Sequence, residues 1–379
     1  MKNISIGILN LAFLHPIVGA AQYARNVTKN IKKYPISVYS FENKGISELK
    51  DCKNLEFFLV KKPPKNLVAI KVLTQLFEKM KKNHDVLILA SGIEVIIGIL
   101  YKYLKNPKVK LIVQFHHISS LNFFELLKER KLFGIFDYLS ILLMKKCDAI
   151  ITPSETWQKI LKVKLNYKKN MCIAYNSVEP VKKGNLKIKF TKPIIYTGLC
   201  QPKHNVELII KALPLIKEKF PGVTLLLTGR RNEEYYKKLV NLAKRLKVEK
   251  NIKYLGVLNE NDLRNVYEAS DVVVFVPKEP YGWSIVLLKG ILYKKPCVAL
   301  NTGSLPELIK RYDGIIINES PLELARAVKN ILSNKTHTRK IVTNAYKRLR
   351  KDTWKATANI HIKCIQKLIE KPFHLMTQK

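Results

Sequence analysis

Twice along this chain, short runs of β-branched and apolar residues alternate with longer amphipathic stretches, and an aperiodic break separates the two series. In the first series strands are expected near residues 4–9, 37–41, 86–90, 111–115, 149–152 and 172–175, with helices between them, the longest over 121–146. The second series predicts strands near 194–197, 224–228, 252–255, 272–276 and 297–300. Such alternation is the signature of βαβ units and a parallel sheet, because the short runs pair with one another while the 3.6-period stretches cover the sheet faces. The break, NSVEPVKKGNLKIKFTKP over 176–193, is rich in Gly, Pro, Asn and Lys and is the expected linker. Beyond residue 321 only helical patterning remains, and Trp354 supplies an apolar anchor that would let the last helix pack back on the first domain. The expected division is a first domain over 1–180, a linker over 181–192, a second domain over 193–350 and a returning helix over 351–379. Two α/β halves in series predict ligand binding beyond the carboxyl ends of the strands, in a cleft between the sheets.

A chain of 379 residues exceeds one ordinary core and suits two. Its hydrophobic content of 47% excludes a disordered chain. The 68 Lys and Arg against 29 Asp and Glu give +39, a field that draws polyanions: nucleic acid, an anionic membrane surface or phosphorylated substrates. Solvated Lys-rich faces account for the same number. Nucleic acid ranks last, since no helix-turn-helix, RNP or zinc-finger signature is present. The six cysteines are scattered without a CxxC pair, which argues against a zinc site and for a reducing cytoplasm. The opening MKNISIGILNLAFLHP lacks a small-residue cleavage site and reads as a first strand. Lys interrupts every apolar stretch before the ~18–20 residues that would span a bilayer. A cytoplasmic protein is expected, and any membrane contact would be peripheral.

Two segments carry possible chemistry. Gly19-Ala20-Ala21, at an expected helix start after the first strand, would let backbone amides approach a phosphate or sugar, although a structural glycine fits equally well. In VVVFVPKEPYGWSIVLLKG a buried strand ends at Pro277, a carboxylate follows at Glu279, and a turn leads into a helix. This places the amides of Gly282, Trp283 and Ser284 at a helix N-terminus suited to a diphosphate, with Glu279 able to accept sugar hydroxyls. An ordinary βα turn with a solvated Glu explains the segment as well.

The EPYG turn, the KKP-strand after it and NTGSLPELI (301–309) together resemble the donor-site signature of glycosyltransferase family 4. The resemblance runs along nearly the whole chain: the glycine-rich loop at Gly19, LIVQFHH ending in His116 and His117, CDAIITPSE, IAYNSVEP, IIYTGLCQPKHNVELIIKAL and Thr353-Trp354. It implies an α/β GT-B fold, two Rossmann-like domains facing each other across a cleft. It also implies retaining transfer from a nucleotide diphosphate sugar to a lipid-linked or glycan hydroxyl, with no cofactor and no essential metal. By the same resemblance His116 contacts the donor sugar near the reaction centre, Glu279 its hydroxyls, and Gly19 the diphosphate. Gly198 stands where the family has a glycine followed by Arg, with a Lys five residues beyond that Arg.

The chain departs from the pattern at three donor-binding positions. Leu199 and His204 stand in place of that Arg and Lys, and Leu287 in place of a ribose-binding Glu (Lys289 if two residues are inserted). Lys203, Arg230 and Arg231 are the neighbouring cations that could supply the missing charge. The alternative reading is a catalytically degenerate binding subunit that partners an active enzyme. Lys interleaved with apolar residues over 101–110, 126–136, 142–147 (LLMKKC) and 157–169 makes an anionic membrane surface the expected partner of the first domain. Ordinary amphipathic helices with solvated Lys give the same pattern.

Overall fold

The structure is a computed structural model that describes residues 4–15, 19–42, 49, 52–61, 68–116 and 132–370, with backbone alone at 68–73 and 132–133. The chain divides into two compact units, Met1–Asn176 with Trp354–Lys379, and Ser177–Thr353.

In the first unit β1 (Ile6–Leu9), β2 (Ile36–Phe41), β3 (Leu55–Val60), β4 (Val86–Ala90), β5 (Lys110–Gln114), β6 (Ala149–Thr152) and β7 (Asn170–Ile173) form one parallel sheet in the order 3-2-1-4-5-6-7. The connecting helices are α1 (Gly19–Asn30), α2 (Val68–Lys79), α3 (Ile93–Leu104), α4 (Leu132–Leu143) and α5 (Glu155–Lys164). Side chains alternate across a strand, so each run serves both faces. Ile6, Ile8, Ile36, Val38, Val86 and Ile88 meet Tyr23 and Val27 of α1, together with Trp354, Ala358 and Ile365 of the C-terminal helix (Trp354–Glu370). Leu9, Tyr39, Leu87, Leu89, Leu111 and Val113 face Val95 and Tyr101 of α3, Ile141 of α4 and Trp157 of α5. Strand β3 is additional to the strands that the sequence pattern marks; its phenylalanines and Glu56 leave it only partly buried at the sheet edge. Of the helix expected over 121–146, residues 121–131 lie outside the described residues.

The second unit repeats the plan. Strands β8 (Pro193–Thr197), β9 (Thr224–Thr228), β10 (Ile252–Tyr254), β11 (Val272–Phe275), β12 (Cys297–Leu300) and β13 (Ile315–Ile317) run parallel in the order 10-9-8-11-12-13. They alternate with α6 (Val206–Lys219), α7 (Glu233–Arg245), α8 (Glu260–Ala269), α9 (Ile285–Leu292) and α10 (Leu305–Arg311), followed by α11 (Pro321–Ser333) and α12 (Lys335–Leu349). Asn232, Asn259, Ser284, Ser320 and Asn334 each cap a helix with the side chain, which fixes where those helices begin.

Residues 181–192 belong to this unit and are strapped to it. Asn265 donates to the Gly184 and Leu186 carbonyls at 2.8 and 2.9 Å, Asp262 accepts from Leu186 N at 2.9 Å, and Arg264 donates to the Val181 carbonyl. The absence of periodicity that suggested a linker reflects a segment whose backbone is satisfied by α8 side chains instead of a ladder.

Candidate functional site

In a doubly wound sheet the crossovers part at one point, and the carboxyl ends of the strands on either side leave a crevice. In the second sheet that point lies between β8 and β11. The loops that leave it are tied to one another. Lys278 N donates to Lys203 O at 3.0 Å, Cys200 N to Arg230 O at 2.8 Å, and Ser304 N to Tyr281 O at 2.9 Å. The backbones approach so closely that two positions admit only glycine. At Gly229, with φ +113°, a Cβ would lie 2.0 Å from Gly198 O; at Gly303, with φ +54°, it would lie 2.3 Å from Tyr281 N. The Tyr281 ring seats edge-on against Phe275 at 4.9 Å and against His204 at 6.4 Å. Gly198, Lys203, His204, Arg230 and the Glu279–Ser284 turn are therefore brought to one rim.

Several expectations change here. Helix α9 starts at Ile285 with Ser284 as its N-cap, the Ser284 side chain accepting from Leu287 N at 3.4 Å. The amides at the helix N-terminus are thus those of Ile285 and Val286, and Gly282 and Trp283 precede it. Trp283 is buried and packs against Tyr312 at 6.4 Å, so its indole is a core group. His204 is buried, and burial, followed by the neighbouring Lys203, lowers its pKa to about 4. Its imidazole is neutral at pH 7 and cannot replace a lost cation; Nδ1 is buried without a hydrogen-bond partner. Arg231 is committed elsewhere, 4.2 and 4.6 Å from the Tyr236 and Tyr254 rings and 2.8 Å from Glu233. Lys203 and Arg230 are exposed at the rim, and Lys278 pairs with Glu207 at 2.7 Å. Leu287 is a core residue, and Lys289 pairs with Glu260 at 2.5 Å, so neither position offers the rim a carboxylate.

The corresponding point of the first sheet lies between β1 and β4. Gly19 opens α1, and buried Arg25 of that helix holds the preceding loop through the Phe13 and His15 carbonyls at 2.8 and 2.7 Å. His116 follows β5 and stands half-buried, Nε2 3.0 Å from Gln114 Nε2 and the ring edge-on to Tyr23 at 4.9 Å. Tyr23 lies one turn beyond Gly19, which sets His116 beside the start of α1. His117 lies outside the described residues. Two residues here had no sequence signal. Buried Glu94 accepts from Leu11 N at 3.1 Å, and burial raises its pKa. His361 of the C-terminal helix is fully buried 5.8 Å from the Tyr23 ring; Nδ1 donates to Thr357 O at 3.1 Å and Nε2 has no partner. Only the packing of a helix distant in sequence could have revealed the second.

Residues 178–348 match the family model described as glycosyl transferases group 1, a stretch that falls within the second unit. An uncharacterized glycosyltransferase of Methanocaldococcus jannaschii is 31% identical over 179 residues, 45% of this chain and 44% of that protein. Glycogen synthase of Mycobacterium tuberculosis is 26% identical over 177 residues, 45% of this chain and 42% of its own length. These matches span less than half the length of either relative. Among solved structures, Anabaena Alr3699/HepE in complex with UDP and glucose superposes with a TM-score of 0.77 at 18% identity, covering 96% of this chain and 99% of that one. Sucrose-phosphate synthase from Thermosynechococcus elongatus gives 0.74 at 14% identity, with 97% and 99% covered. The fold is GT-B, with two Rossmann-like α/β units in one chain.

Proposed function

We propose that the chain is a retaining glycosyltransferase of family 4 that moves a sugar from a nucleotide diphosphate donor to a lipid-linked or glycan hydroxyl. The observation that carries this reading is the coincidence of the family match over 178–348 with the unit whose interlocked rim gathers Gly198, Lys203, His204 and the turn into α9. In this reading the diphosphate meets the Ile285 and Val286 amides and the Lys203 and Arg230 charges. His204, neutral and buried beneath the Tyr281 ring, shapes the loop behind Lys203 and adds no charge to the site. Glu279 accepts from sugar hydroxyls, and His116 of the first unit contacts the donor sugar near the reacting carbon. Peptide dipoles and side-chain cations stabilise the leaving group, with no cofactor and no metal in the proposed chemistry. The first unit works against an anionic membrane surface.

The test is a thermal-shift panel of nucleoside diphosphates and their sugars on the whole chain, followed by donor hydrolysis and transfer assays. A donor at about 100 times its Kd adds ~2.7 kcal/mol to the stability of the unit that binds it. A selective rise in Tm that Lys203→Ala cuts to about half, as a tenfold weaker affinity would, supports the reading. No rise with any donor sinks it. Binding without turnover favours the second reading, a degenerate binding subunit, for which Leu199, 39% exposed where the resemblance puts an Arg, is the specific support.

A further inference from the structure

Of the ten large apolar side chains that stand exposed among the described residues, six lie on two neighbouring helices of the first unit. On α3 these are Leu100, Tyr103 and Leu104; on α4 they are Ile135, Leu139 and Leu142. Each set keeps helical spacing, so each forms a stripe along one side of its helix. The opposite sides are spent on the core, through Val95, Ile97 and Tyr101 of α3 and Ile141 of α4. The two stripes are therefore additional to what folding uses. They are neighbours as well. Both helices return from the carboxyl to the amino end of a parallel sheet, and they pack on each other. Leu104 and Leu142 accordingly end up at the same end. Tyr103 and Leu104, 65% and 69% exposed, are the most open of the six.

The rim of this surface is cationic. Lys108 follows α3, and Lys145 and Lys146 follow α4, all three exposed. Lys146 Nζ lies 5.8 Å from the centre of the Tyr103 ring, which joins the two helices across the patch. The carboxylates in the described stretches 93–116 and 132–148 do not offset that charge: Glu94 is buried, Asp137 is half-buried, and Asp148 pairs with Lys102 at 2.9 Å. A second copy of the chain would bring the same lysines to the contact, against a net charge of +39, so self-association is disfavoured. Apolar stripes on side-by-side helices, with lysine heads gathered at one end, match an interface between hydrocarbon and anionic headgroups, where the stems stay apolar and the ammonium groups reach the phosphates.

We propose that the α3–α4 face of the first unit, with Tyr103, Leu104 and Leu142 as its apolar anchors and Lys108, Lys145 and Lys146 as its charged rim, is a docking surface for an anionic lipid bilayer. The segment over 157–169 does not contribute an aromatic anchor: Trp157 is buried against Phe115 at 5.2 Å, a core residue of α5. The proposal rests on the membrane contact proposed above for the first unit and gives it a place; it needs no catalysis, so loss of vesicle binding and loss of donor turnover are separate outcomes.

Its test is co-sedimentation of the whole chain at ~0.15 M salt with vesicles of phosphatidylcholine alone and with about one third phosphatidylglycerol. The expected result is at least tenfold stronger partition to the anionic vesicles. A Tyr103→Ser, Leu104→Ser, Leu142→Ser variant is expected to lose at least tenfold, and Lys145→Glu with Lys146→Glu to lose as much. Val257→Ser with Leu322→Ser, exposed apolar residues of the second unit, should leave partition unchanged. Folding of each variant is checked by its thermal transition, which these exposed positions should not move. Equal binding by the triple variant and the native chain would overturn the proposal. So would equal binding to both vesicle types, or a dimer in light scattering that the triple variant dissolves.

Discussion

At His204 a neutral imidazole occupies the place where the family resemblance puts a cation, and His84 and His361 are neutral for the same reason. Burial is the largest cause in all three, and each pKa falls to about 4. Released into water, a histidine titrates near 6.5. Between about pH 6.5 and 4 the unfolded chain therefore takes up protons that the folded chain refuses. Stability is complete above that window and is lost as the pH falls through it. The melting transition is expected to hold level from pH 8 to 7 and to drop progressively from 6.5 toward 4. A His361→Asn variant, whose amide nitrogen takes the place of Nδ1 and can still donate to Thr357 O, should show a shallower decline for the first unit even if it melts lower throughout. The same slope in the native chain and the variant would remove His361 from the account. Residue identity alone could not show this. The sequence marks His204 as a departure from Lys, but whether it is charged depends on the Tyr281 ring and the loop folded over it.

Between strands and helices, the rim of the second unit rests on backbone proximity more than on side-chain pairing. Gly229 and Gly256 separate the two costs of adding a methyl group. Both hold positive φ, +113° and +73°, but a Cβ at Gly256 meets nothing within 4 Å, whereas at Gly229 it meets Gly198 O at 2.0 Å. Gly256→Ala should therefore cost only the backbone preference, about 1 kcal/mol. Gly229→Ala must also part β8 from β9 where Gly198 N donates to Thr228 O, and should cost more than ~3 kcal/mol. Urea unfolding of the second unit decides it; equal losses would mean that the close approach is not rigid. Much of this scale is legible in sequence. The expected strands at 86–90, 149–152, 224–228 and 297–300 coincide with β4, β6, β9 and β12, because a fully buried parallel strand is a short apolar run bounded by turns. Strand β13 escapes because a run of only three isoleucines is too short to stand out from the apolar positions of the helices around it. The start of α9 is not legible to the residue, because a Ser that caps reads in sequence much like a Ser in the first turn.

Across the whole molecule, the first unit is completed by the end of the chain. Trp354, Ile365 and Leu368 of the C-terminal helix are buried against the face of the first sheet that α1 covers in part. Burying a large apolar side chain is worth ~1.5–3 kcal/mol, so these three alone supply roughly 5–9 kcal/mol. A domain of this size has a total stability of only about 5–15 kcal/mol. The helix also ties to the sheet through polar groups: Thr357 Oγ1 donates to Tyr175 O at 2.9 Å, and Gln366 donates to Tyr34 at 3.2 Å. A chain ended after Thr353 should consequently lose the first unit and keep the second, whose residues run from Ser177 to Thr353 without a break. Hydrogen exchange reads the two outcomes separately. Amides of β1, β2 and β4 are expected to exchange at rates near those of an unfolded chain, with a hydrophobic dye bound, while those of β8, β9 and β11 keep their protection. Retained protection in β1 and β2 would show that α1 suffices to cover that face. Loss in both units would show instead that the second sheet depends on the first for its stability, so that the two units fold as one cooperative body.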